Sequence, residues 1–147
     1  MDFDTQVKLS IYETIADGGA VPTADDVAHA LRVPIADVKS AFLHLETERL
    51  LVLEPGSPAR IRMAPPFSGI KTPFAVLVGD KEFYANCVWD AFGVAAALRD
   101  DAIINASDGY SGEAIVLEVR DGKPPAHDAL AHFAIPAAHW WDDIIHT

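Results

Sequence analysis

The chain has 147 residues and a mass of 15.8 kDa, room for one ordinary domain or two small ones sharing a core. With 50% apolar and 22% charged residues it can build that core. Acidic side chains outnumber basic ones 22 to 11, a formal net charge of −11, which argues against a nucleic-acid partner and against binding to an anionic membrane surface. No apolar run has the length of a membrane span. The acidic start Met1-Asp2-Phe3-Asp4 is unlike a signal peptide, and Cys87 is the single cysteine. One cysteine excludes an internal disulfide and any multi-cysteine metal site within one chain, so a cytoplasmic location is the default expectation.

Up to about Met63 the apolar residues follow a helical period. Val7, Ile11 and Ile15 recur at i, i+4 and i+8 and predict a helix over Thr5 to Ala16, ended by Gly18-Gly19. Thr23 with Asp26 three residues on is a capping signal for a short second helix, Ala24 to Leu31, burying Val27, Ala30 and Leu31. After Arg32-Val33-Pro34 a third helix runs from Ile35 to Glu48 and buries Ile35, Val38, Phe42 and Leu45. A strand over Leu50 to Leu53, a turn at Pro55-Gly56-Ser57-Pro58 and a returning strand over Arg60 to Met63 complete a winged helix-turn-helix pattern, residues 1–64. Such a unit commonly reads DNA. Here residues 1–64 hold six basic and ten acidic side chains, and the third helix offers Lys39 against Asp37. A structural or docking role is therefore favoured, although Arg49, Arg60 and Arg62 lie in or near the wing.

Residues 65–147 read as a second, α+β region. An irregular connector, residues 65–73, leads to a strand over Phe74 to Val78. Gly79-Asp80-Lys81 turns the chain into a short return strand, Glu82 to Tyr84. Asn86 is a candidate cap for a central helix from Cys87 to about Arg99. Strands follow over Ala102 to Ala106, Glu113 to Arg120 and Leu130 to Ile135, and Pro136 to Thr147 begins a helix or turn. The expected fold class is thus α+β: the helix-turn-helix segment followed by a small mixed or antiparallel sheet packed on a central helix.

Cys87 sits at the start of that helix, where free N–H groups favour thiolate over thiol, and Asp90 at i+3 shares its face. A soft sulfur can hold a soft metal, and the neighbouring carboxyl can carry a proton. Spacing alone favours the blander alternative of a small buried cysteine and a satisfied helix aspartate, because C-x-x-D is a common pattern. His139, Asp142 or Asp143, and His146 would share one helical face and could hold a borderline metal, against the simpler picture of a solvated acidic segment. Trp140-Trp141 either caps a pocket or plugs an edge of the core.

The stretch Phe83-Tyr84-Ala85-Asn86-Cys87-Val88-Trp89-Asp90-Ala91-Phe92-Gly93 resembles the active-site helix of alkylmercury lyases. Pro65-Pro66-Phe67-Ser68 with Thr72-Pro73-Phe74 resembles the connector before it, and Trp140-Trp141-Asp142-Asp143-Ile144 is similar to a segment of the family's actinobacterial branch. The family also begins with a winged-helix segment that does not bind DNA. The resemblance implies protonolysis of a carbon–mercury bond. Cys87 matches the first of two mercury-holding cysteines, and Asp90 matches the aspartate that helps deliver the proton to the leaving carbon. The family's second cysteine follows the segment matching Trp140 to Ile145, and this sequence has none there. Ser107 and Ser111 lie where some relatives carry further cysteines. Three alternatives stand open: a relative that binds without cleaving, a sequence cut short, or a recoded stop codon read as selenocysteine.

The resemblance thus implies an alkylmercury lyase-like protein with Cys87 as mercury ligand and Asp90 as proton carrier. Mercury would be substrate or product ligand, with no separate cofactor. The partners would be an organomercurial or Hg(II), with small thiols as accessory ligands and neither nucleic acid nor membrane. The alternative is a winged-helix transcriptional regulator or thiol-based metal sensor without lyase activity. No motif specifies the organic group or the oligomeric state.

Overall fold

The computed structural model describes residues 1–124 and 126–146. Three helices open the chain: α1 (Phe3–Gly18), α2 (Ala24–Leu31) and α3 (Ile35–Thr47). Asp2 caps α1 by accepting the Thr5 N–H at 3.0 Å, and Gly19 ends it in the left-handed region at φ 78°. Val7, Ile11 and Ile15 are fully buried, as their spacing predicts. Thr23 and Asp26 form a reciprocal capping box at the start of α2. This helix buries Ala24, Val27 and Ala28, an i, i+3, i+4 face, and so leaves Ala30 exposed and Leu31 only partly covered. In α3, Val38, Ala41, Phe42 and Leu45 face the core. Ile35, expected inside, is 38% exposed at the first turn.

Strands β1 (Val52–Glu54), β2 (Ser57–Ala64) and β3 (Phe67–Ser68) form a three-stranded antiparallel sheet in chain order. A second antiparallel sheet has the order β5-β4-β6-β7, built from β4 (Phe74–Val78), β5 (Lys81–Ala85), β6 (Ala102–Ser107) and β7 (Ala114–Val119). Helix α4 (Val88–Leu98) joins β5 to β6 and packs on β4, β5 and β6. Val76, Ile104 and Leu117 stand in register across three strands and are buried on the helix-covered face. Gly79 makes the tight β4–β5 turn at φ 60°.

One continuous core runs from the helices into the second sheet. The rings of Tyr12, Phe67 and Phe83 meet in sequence across the junction, edge-on and tilted, with centroids 6.2 and 5.6 Å apart. The Tyr12 hydroxyl donates to the Pro65 carbonyl at 2.8 Å, and Lys81 Nζ donates to the Ala16 carbonyl at the end of α1 at 2.7 Å. No helix among the described residues is long and apolar enough to cross a membrane.

The strand expected over Leu130 to Ile135 does not form. Leu130 is 94% exposed, and the segment finds its partners locally instead of on a sheet edge. The Phe133 ring lies 5.2 Å from that of Trp140, whose Nε1 donates to the Ile135 carbonyl at 2.8 Å. Residues Ala137–Asp142 then make a short 3-10 helix. Thr147, in the expected terminal helix or turn, lies outside the described residues.

Candidate functional site

Cys87 is itself the N-cap of α4, with extended backbone at φ −148° and ψ 178°, and its carbonyl accepts the Ala91 N–H at 3.0 Å. The expected cap, Asn86, does different work: its amide donates to Asp90 Oδ2 at 3.5 Å. Asp90 lies in the first helical turn, and the Cys87 thiol approaches the same Oδ2 at 3.7 Å. Sulfur, carboxyl and amide therefore meet at one point, because the strand-to-helix junction brings i, i+3 and i+4 side chains of this turn together.

The electrostatics differ from the sequence-based expectation. Burial pushes the Cys87 thiol above its usual range and outweighs the opposing Asp90 and Trp89 backbone N–H groups. The Asp90 charge pushes in the same direction as burial. The helix terminus thus offers its N–H groups, but partial removal of water disfavours the anion more strongly. Asp90 is also shifted upward, again chiefly by burial, against hydrogen bonds from Asn86 and Cys87. A carboxyl so placed holds its proton more firmly than an exposed aspartate.

Both side chains open into a cavity of about 450 Å³. Met63, Pro65 and Phe74 line its inner side, and Phe133, Trp140 and Trp141 form an aromatic wall from the C-terminal segment. Trp140-Trp141 is thereby placed at a pocket. Phe133 carried no sequence signal, since a lone aromatic among alanines and histidines reads as core, and the 67% exposed Trp89, part of the stretch that carries the resemblance, also lines the cavity. His139 Nδ1 and Asp142 Oδ2 are 3.0 Å apart, and His146 Nδ1 and Asp143 Oδ1 2.9 Å apart. These are two separate pairs, and no cluster of three or more metal-ligating side chains exists among the described residues. Ser111 Oγ accepts the Glu113 N–H at 3.2 Å in the β6–β7 turn, and neither it nor Ser107 lines the cavity. Two of the wing-region arginines are engaged within the molecule: Arg62 with Glu54 at 3.2 Å, and Arg49 over the Trp141 ring at 5.9 Å.

Fold and site together define an α+β protein that presents a thiol–carboxyl pair to an apolar cavity. Over residues 67–147 the sequence matches the alkylmercury lyase (MerB) family, and the chain belongs to that family. Among solved structures, the crystal structure of the mercury-bound form of MerB2 is similar, with a TM-score of 0.65 and 25% sequence identity. The match covers 84% of this chain and 59% of that one, so this chain spans well under two thirds of the neighbour. No curated protein matches the sequence.

Proposed function

We propose that the protein binds organomercurials or Hg(II) through Cys87 and that Asp90 carries the proton in protonolysis of a carbon–mercury bond. The observation that carries this reading is the 3.7 Å approach of thiol and carboxyl in the lining of an apolar cavity, in a chain of this family. As Cys87 Sγ bonds to mercury, its proton passes to the Asp90 carboxylate. The carbon–mercury bond then breaks with its electron pair left on carbon. Carbon takes the proton from Asp90 and departs as the hydrocarbon, and Hg(II) stays on the Cys87 sulfur. Mercury enters as part of the substrate and needs no separate cofactor. Two soft anions draw mercury from carbon better than one, and a small thiol fills the second position in this proposal. Residues 1–64 act as a winged helix-turn-helix-like docking unit for the lyase-like region, residues 65–147.

Native mass spectrometry with Hg(II) tests the ligand. Binding is expected for the parent protein and lost in Cys87→Ser, because the remaining sulfurs are the weaker thioethers of Met1 and Met63. Methane release from methylmercury tests the chemistry. It should be slow alone and faster with added thiol, and should fall by about 100-fold or more in Asp90→Asn, the usual worth of a positioned proton carrier. Unchanged Hg(II) binding in Cys87→Ser overturns the proposal.

A further inference from the structure

We infer that Arg49, outside the reacting centre and in the N-terminal unit, is a positioning residue for the aromatic wall of the cavity. The inference builds on the function proposed above. Residues 126–136 have neither helix nor strand, and the 3-10 helix after them is only six residues long. Such a segment has few backbone bonds to hold it in place, yet it supplies the cavity's outer wall. Within the segment, Trp140 is secured by its bond to Ile135 and its contact with Phe133. Trp141 instead reaches outward. It lines the Cys87 cavity and also a second depression between the segment and the region of α3, β1 and β2.

Arg49 meets Trp141 from the N-terminal side of the molecule, its guanidinium 5.9 Å from the ring centroid. The arginine follows α3 in the left-handed region at φ 59°, in the short link to β1, which starts at Val52. Its backbone is thus set by the helix-to-strand junction of the N-terminal unit, and its side chain extends to the wall. The pair of exposed guanidinium and half-buried indole ties the first 64 residues to the cavity wall. Its consequence is selectivity for the organic group: a planar aryl group packs against the fixed wall, and a methyl group does not reach it.

A mercury-free readout separates this inference from the reaction. Cys87 is alkylated with N-phenylmaleimide and N-methylmaleimide, which share one chemistry and differ in the attached group. Arg49→Met and Trp141→Leu should each lower the phenyl-to-methyl rate ratio by about two- to five-fold, the worth of an exposed cation–π pair. Arg49→Lys should restore most of it, and the double variant should lose no more than the larger single effect. The phenylmercury-to-methylmercury affinity ratio should follow the same order. An unchanged maleimide ratio in Arg49→Met, or equal loss for both reagents, overturns the assignment. Shifted maleimide ratios in a protein that binds no mercurial through Cys87 leave it standing and overturn the proposed function instead.

Discussion

At the scale of single residues, Cys87 and Asp90 act on each other. The carboxylate charge beside the sulfur disfavours the thiolate, and burial disfavours both anions. The sign of the pH dependence follows. The alkylation rate of Cys87 should rise with pH through a midpoint above that of free cysteine, about 8.5. Asp90→Asn removes the neighbouring charge but not the burial, so the midpoint should move down towards the free value. Alkylation followed by mass spectrometry across pH gives both midpoints, and an upward move in Asp90→Asn contradicts the arrangement. Spacing made the pair legible in the sequence, since i and i+3 residues share a helical face. The direction of the thiol shift was not legible, because it depends on how much water remains around the sulfur.

At the scale of elements, two glycines show where backbones approach. Gly69 follows β3 and donates its N–H to the Arg62 carbonyl at 2.7 Å. A Cβ there would sit 2.3 Å from the Ile61 carbonyl oxygen. That neighbour is backbone and has no rotamer to give. Gly69→Ala should therefore cost about 3 kcal/mol, the upper part of the usual range for overpacking. In α4, a Cβ on Gly93 would meet Pro66 Cβ at 2.9 Å, a milder clash with a side chain. Alanine also recovers about 1 kcal/mol of helix propensity there, so Gly93→Ala should be clearly less destabilising than Gly69→Ala. Urea unfolding of the two variants measures the order, and the reverse order contradicts the packing described. Most elements were predictable from period and turn residues, and α2 and β4 have the expected limits. The strand over Leu130 to Ile135 was not, because alternation shows which face a strand would bury but not whether a sheet edge is free to receive it.

At the scale of the whole molecule, charge and docking act in the same direction. The net charge is −11, and residues 1–64 alone carry six basic against ten acidic side chains. The fold further occupies Arg62 with Glu54 and Arg49 with Trp141, while Lys39 is half-buried on α3. Few cations remain on that unit to displace counterions from a phosphate backbone. Random duplex DNA at submicromolar protein and moderate salt should therefore show no gel shift. A shift that weakens steeply with salt would contradict this and favour the regulator alternative. The ring series Tyr12–Phe67–Phe83 and the Lys81–Ala16 bond give the N-terminal unit its place against the second sheet.

The sequence by itself determined the helix face of α1 and, apart from Ile35, that of α3, together with the turn at Gly79 and the i, i+3 pairing of Cys87 with Asp90. All of these rest on local periodicity or on one residue's backbone freedom. The resemblance carried by the residues around Cys87 pointed to the family that the comparison then showed. Only the tertiary structure decided that burial would overcome the helix terminus at Cys87. It alone placed an irregular segment and two tryptophans over the cavity and brought Arg49 to that wall across 92 residues of chain. Desolvation and long-range packing depend on which distant surfaces meet, and no local pattern in the chain encodes that.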